Sequence, residues 1–422
     1  MSISSPARRQ FLGRAALAAI PAFLRPRTAL GAVGLNTEQR APDHVLVTIF
    51  LRGGADGLSL VIPHADDHYH RSRPTLALAS PTKGSGTGVA DLDGYFGLHP
   101  ALRPLLPLYQ SGQMAIVHAC GSGDQTRSHF EAMATMERGL YGAQGPASGW
   151  IARHLVSAPW RNPSPLRAVA LGTMVPDALR GAAGASALQD VGDLNLHDLA
   201  SVSHAQLHEC LHSMYNTNSG ALATAGLETL GVLRTLEDAA AAPYHPSNGA
   251  AYPTDDLGHG LMQTALLIKK GVGVEAACLD HYGYDTHVAQ GGSIGLLAGQ
   301  LTTLGASIAA FAKDLGPERW AHTTVVVQSE FGRRIEENSG AGTDHGRAGV
   351  MFILGGHGVA GGRIHGRWPG LAPDQRDGPG DLHVTTDYRN VLGEVLARRA
   401  GNGNVGAVFP GLQFTPMGVT YA

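Results

Sequence analysis

Apolar and polar positions along this chain alternate between short buried runs and longer amphipathic stretches. Val45-Leu46-Val47-Thr48-Ile49-Phe50 is a continuous apolar run of the kind buried on both faces of a sheet. Met114–Ala119, Ala168–Leu171, Val274–Leu279, Thr323–Gln328 and Val350–Leu354 read the same way. Between them lie helical patterns. Ser128–Arg138 opens on polar caps, and Asp255–Lys270 has its acid at the start and its bases at the end, matching the helix dipole. Residues 202–240 are rich in Ala and Leu, with a break at 216–220, and further helices fall within 293–315 and at Asp387–Arg399. Strands alternating with helices predict an α/β fold, a mostly parallel sheet covered on both faces.

Composition adds bounds. The chain has 422 residues, 43% of them hydrophobic and 15% charged, enough for a substantial core. Residues 1–31 carry Arg8-Arg9-Gln10-Phe11-Leu12, the weakly apolar run Ala15–Leu24 and a small-residue stretch, the layout of a twin-arginine export signal. That run is far shorter than the ~20 residues of a spanning helix, and no other segment is long enough. The expectation is a single domain over 32–422, with a cap or insertion within 143–260, exported to the periplasm or beyond by the twin-arginine machinery. The segment 1–31 holds five arginines and no acid, so its removal makes the body more acidic than the full-chain charge of −3. No basic stripe points to nucleic acid. Cys120, Cys210 and Cys278 do not form a disulfide framework, and Cys120 and Cys278 end apolar runs as small buried hydrophobes.

Candidate chemistry collects beside the strand ends, where ligands gather in α/β sheets. Asp56 lies in a Gly-Gly-Ala-Asp-Gly turn after the first strand, and Asp285-Thr286-His287 follows the strand at 274–279. Glu330 follows the strand at 323–328, and Asp344-His345 precedes the next. Taken singly, each is an ordinary turn residue. Together they are a carboxylate and imidazole set of the kind that binds Zn²⁺ or Mn²⁺. Thr126-Arg127-Ser128-His129 opens a helix, where a hydroxyl is either an N-cap or a nucleophile and Arg127 suits an anion. Gly356–Gly361 spells a dinucleotide fingerprint, but the glycines and proline that follow preclude the helix it needs. There is no Walker loop or Cys-x-x-Cys.

These segments resemble the bacterial domain-of-unknown-function family 1501, within the alkaline phosphatase and sulfatase superfamily. The resemblance rests on 51–58, 98–102, 127–130, 285–287, 329–334 and 342–346, which run in order over nearly all of the expected mature chain. It implies a three-layer α/β/α sandwich with one or two divalent ions. Asp56, Asp285, His287, Glu330, Asp344 and His345 would be the ligands. Phe331 stands where the superfamily has a histidine. Ser128, with Thr126 second, would be the nucleophile, while Arg127, His129 and Arg333 would contact the substrate. The implied reaction is hydrolysis of a small anionic ester, phosphate before sulfate. The alternative is a degenerate, non-catalytic member that binds a ligand or an envelope partner.

Overall fold

The computed structural model describes residues 44–81, 88–141, 145–159, 162, 164–194, 203–216, 220–240 and 243–421. The expected twin-arginine segment, 1–31, lies outside the described residues. Strands β1 (Val45–Leu51), β5 (Met114–Gly121), β6 (Ala168–Leu171), β7 (Ser186–Leu188), β8 (Ala276–His281), β9 (Thr323–Ser329), β12 (Gly349–Gly355), β13 (Ile364–His365) and β14 (Thr386–Asp387) form one nine-stranded sheet. Its order is β13-β5-β12-β9-β1-β8-β6-β7, with β14 also paired to β5. Two small sheets stand apart: β2 (Val61–Ile62), β3 (Ala90–Asp91) and β4 (Gly97–Leu98) form one, and the antiparallel pair β10 (Arg333–Glu337) and β11 (Thr343–His345) the other.

All the apolar runs read from the sequence became strands. β8 begins and ends two residues later than expected, at Ala276 and His281. Seven of the residues in β1 are buried, and its side chains alternate between two cores. Val45, Val47, Ile49 and Leu51 face α5 (Asp256–Lys270) and α6 (Leu296–Ala321), which pack on each other, α6 also packing on the 3-10 helix Pro100–Leu105. Leu46 and Phe50 face α1 (His129–Arg138), α2 (Trp150–Ser157) and α7 (Tyr388–Arg398). The result is a three-layer α/β/α sandwich. Each fully buried aliphatic side chain in it contributes about 1.5–3 kcal/mol. Within 143–260, where a cap was expected, β6 and β7 belong to the central sheet, while α3 (His204–Asn216) and α4 (Ala221–Ala240) form a helical pair beside it. No helix among the described residues is long and apolar enough to cross a membrane. Cys120 and Cys278 are buried thiols, as expected, and Cys210 is exposed.

Strand direction decides what meets at the sheet edge. β1, β5, β6, β8 and β9 all run the same way, whereas β12 is antiparallel to both of its neighbours, β5 and β9. Segments leaving β1, β5, β8 and β9 therefore share one edge with the segment that enters β12. This is how residues from 52–56, 127–129, 285–287, 330 and 344–345 become neighbours although they span most of the chain.

Asp56 is on that edge but is not available as a ligand, which corrects the expectation for it. Its side chain is fully buried, and Arg73 grips both oxygens, Nη1 at 2.5 Å from Oδ2 and Nη2 at 2.9 Å from Oδ1. Ser59 Oγ and Gln290 Nε2 donate to Oδ2 as well, at 2.7 and 2.8 Å. Burial alone would raise this carboxyl, but the Arg73 charge and the three donors outweigh it and hold it below the usual range. Removing the charge leaves a buried guanidinium without its partner, so Asp56→Asn should cost about 3–5 kcal/mol at neutral pH. The depressed folded-state pKa fixes the direction with pH. The stabilisation is complete above the unfolded-state value of about 3.9 and is lost as pH falls through the lower folded-state value. Urea denaturation of both proteins should show the gap at pH 7 and its closure in strong acid; a constant gap would assign the cost to packing.

Candidate metal centre

Three imidazoles at the shared edge are each fixed by a hydrogen bond at Nδ1. His129 Nδ1 lies 2.8 Å from Glu330 Oε1, His287 Nδ1 3.2 Å from Asp344 Oδ1, and His345 Nδ1 2.8 Å from the Arg127 carbonyl. All three partners are acceptors, so the proton is assigned to Nδ1 in each ring and Nε2 carries the free lone pair. Such outer-sphere acceptors are the usual support of metal-binding histidines.

The three Nε2 atoms surround one oxygen. Asp285 Oδ1 is 3.1 Å from His287 Nε2, 3.4 Å from His345 Nε2 and 3.5 Å from His129 Nε2. His287 and His345 bring their Nε2 atoms to 2.9 Å of each other. His129, Asp285 and His345 offer ligand atoms that all lie within 4.8 Å of one another. Donor atoms held tetrahedrally at 2.0–2.1 Å from a zinc ion are roughly 3.3 Å apart, so these spacings fit. A proton shared between His287 and His345 would satisfy that one contact, yet His129 Nε2 would still be buried with no hydrogen-bond partner. Converging lone pairs repel unless a cation lies among them, and the residues present suit one. Half of the Asp285 side chain is exposed, so the cluster is open on one side.

The surroundings fix these groups. His345 sits on β11, opposite Arg333 on β10. Gly346 makes that turn possible: a Cβ there would meet the Arg333 carbonyl carbon at 2.4 Å. Phe331 packs its buried ring on His129 and His345, at centroid distances of 5.0 and 4.8 Å. It acts as an apolar wall that sets both ring planes.

The other expected residues divide. Glu330 does not point at the cluster. Its oxygens accept from His129, from the Gly53 amide at 2.9 Å and from Ser329 Oγ at 2.9 Å, so it holds His129 instead of reaching an ion. Burial works against its charge, but these hydrogen bonds keep the carboxyl below its usual range, and the Glu330 bond raises His129. Asp344 holds His287 in the same manner and accepts from Asn338 at 2.9 Å. Arg333 is not an exposed anion clamp. Its side chain is wholly buried and bonds the carbonyls of Gly53, Gly54, Tyr284 and Thr343, with Nη2 at 2.6 Å from Asp285 Oδ1. Burial opposes the Asp285 charge, and Arg333 more than offsets it.

Arg127 pairs with the buried Asp381, but about a third of its side chain stays exposed beside His345. Arg334, equally exposed, stands 3.9 Å from Asp344 and 4.0 Å from Asp381. Thr126 Oγ1 is committed, donating to Glu131 at 2.7 Å and accepting from the Ser128 amide. Ser128 begins α1 without a capping bond from its hydroxyl. His129, expected to touch substrate, is instead part of the cluster itself. Arg73, Gln290 and Asn338 were missed: the importance of each comes from partners that the local sequence does not reveal.

The chain is similar in structure to the alkaline phosphatase from the Antarctic bacterium TAB5, at 11% identity and a TM-score of 0.27, with 75% of this chain and 92% of that chain covered. A variant of that enzyme with Mg bound in its M3 site matches at 10% identity and a TM-score of 0.28, over 75% and 91%. No curated protein matches the sequence. Residues 115–393 match the family described as a protein of unknown function, DUF1501, and the chain belongs to that family.

Proposed function

We propose that this protein is an exported, metal-dependent hydrolase of phosphate esters, with sulfate esters second. The observation that carries this reading is the convergence of three Nδ1-anchored imidazoles on Asp285 Oδ1. His129, Asp285 and His345 would hold the ion, with His287 beside them, and this mixed nitrogen and oxygen set favours Zn²⁺ or Mn²⁺. A divalent ion bound there supplies Lewis-acid polarisation of an ester oxygen. Arg333 keeps Asp285 ionised and oriented, and Glu330 orients His129 by accepting a hydrogen bond from its Nδ1–H. The partly exposed Arg127, paired through Nη2 with Asp381, would offer its remaining donors to non-bridging oxygens of the substrate, a role its planar fork suits. Ser128, free of a capping bond and adjacent to both Arg127 and His129, is the candidate nucleophile. Export rests on the Arg8-Arg9 segment.

A second reading, a binding protein without turnover, is favoured by Phe331. Its ring fills the side of the cluster where the superfamily pattern calls for another imidazole, and Glu330 is spent on His129 and the backbone. Protein purified without chelator should contain about one equivalent of transition metal by elemental analysis. Glu330→Gln should bind that metal about 10–100-fold more weakly, because the anchor of His129 loses its charge. Unchanged affinity would remove Glu330 from the support of the site.

Metal-loaded protein should turn over a generic phosphomonoester or phosphodiester, and Asp285→Ala and His345→Ala should each abolish that turnover. Ser128→Ala should lower kcat by at least about a hundredfold if the hydroxyl is the attacking group. Full activity in that variant would leave water as nucleophile. Stoichiometric metal with no turnover on any ester would establish the binding reading.

A further inference from the structure

Among the described residues, most of the large apolar side chains left in water lie on segments that leave the edge bearing the imidazole cluster. Among the described residues, Phe130 is 83% exposed, Val288 66% and Tyr282 65%, and Met174, Ile294 and Leu296 are exposed as well. All six lie on segments that leave the C-terminal ends of β5, β6 and β8. Phe130 directly follows His129, and Val288 directly follows His287. A single exposed apolar residue is ordinary, whereas a group along one edge marks a binding surface.

The loop that carries Val288 and Ile294 is firmly built. Gln290, fully buried, accepts from the hydroxyls of Thr286 and Thr343 and donates to Asp56. The amides of Ala289 and Gln290 bond the carbonyls of Gly340 and Ala341. These apolar side chains are therefore held outward by a loop whose polar groups are paired. On the side of the cluster bearing His345, Arg127 and Arg334 remain partly exposed. A ligand with its charged group at the imidazoles would meet guanidinium groups and an apolar shelf together.

We infer that the substrate class is an anionic ester of a large apolar alcohol, whose apolar part lies over Phe130, Tyr282 and Val288. This rests on the ester-hydrolase reading for the identity of the head group. A protein or a second copy seated on the same shelf would cover the residues next to His129 and His287 and close the open side of the cluster. An amphiphilic ester uses the shelf and the cluster at once.

The test uses n-alkylphosphonates of one, four and eight carbons, which are not hydrolysed, titrated calorimetrically into the metal-loaded full chain. Affinity should rise about two- to fourfold per added methylene over the part that is covered. The double variant Phe130→Ser/Val288→Ser should flatten this dependence while retaining its metal equivalent. Val156→Ser, which changes an exposed apolar residue on α2, should retain it. A flat series in the unaltered protein overturns the inference. Binding of phosphatidylcholine vesicles by metal-free protein would make the shelf a membrane-docking surface, and dimerisation abolished by the double variant would make it a self-interface; either result overturns it too. A steep series without turnover on any ester would instead sink the hydrolase reading and leave the apolar ligand class standing.

Discussion

A single buried guanidinium holds the edge together. Arg333 has no exposed side-chain surface, and it donates to the carbonyls of Gly53, Gly54, Tyr284 and Thr343 and to Asp285. A buried cation is costly unless its donors are satisfied. Here the satisfying acceptors lie on three different segments: those following β1 and β8, and the strand β11. Because each must come to the same planar fork, their relative positions are fixed to hydrogen-bond tolerance. Asp285 is the one charged group among them, so the residue that orients the loops also orients the carboxylate at the centre of the cluster.

The imidazoles are positioned on the same principle, with the charges reversed. Glu330, Asp344 and the Arg127 carbonyl each accept a hydrogen bond from one Nδ1–H, and this turns three Nε2 lone pairs toward Asp285. The carboxylates expected to bind a metal are largely those that hold something else: Asp56 holds Arg73 and Gln290, Glu330 holds His129, Asp344 holds His287. Outer groups of this kind are chemically indistinguishable from ligands in a sequence, since both are acids in glycine-bounded turns. Only the direction of the side chain separates them.

That explains what the sequence could and could not reveal. The strands were legible because buried runs of β-branched residues are a local pattern, and helix ends such as Asp255 and Asp387 were legible because capping is local too. The gathering of acids and histidines at strand ends was visible for the same reason. The reversed direction of β12 was not, because pairing direction is a tertiary choice; yet without it His345 would lie at the opposite edge from Asp285. Arg73 was invisible as the partner of Asp56, since nothing in Arg71-Ser72-Arg73-Pro74 records which buried carboxylate it will meet. His129 was recognised as a site residue but assigned to substrate, because the sequence could not show Glu330 waiting at its Nδ1.

Phe331 bears on how many ions such a site accommodates. Read as a letter, it is a lost imidazole. In the fold its ring lies against His129 and His345, and Gly54 passes beneath it so closely that a Cβ there would meet the ring at 2.4 Å. The glycine and the aromatic residue are therefore matched, which is what a functional wall requires and a vacant ligand position does not. The Glu330 oxygens are engaged by His129, Ser329 and Gly53, so the carboxylate beside this wall faces inward. The described residues contain one cluster of three ligating groups. An aromatic wall lies on one side of this cluster, and partly exposed guanidinium groups stand near His345. Restoring an imidazole at Phe331 would remove the wall from two rings at once, so the substitution and the rest of the site stand or fall together.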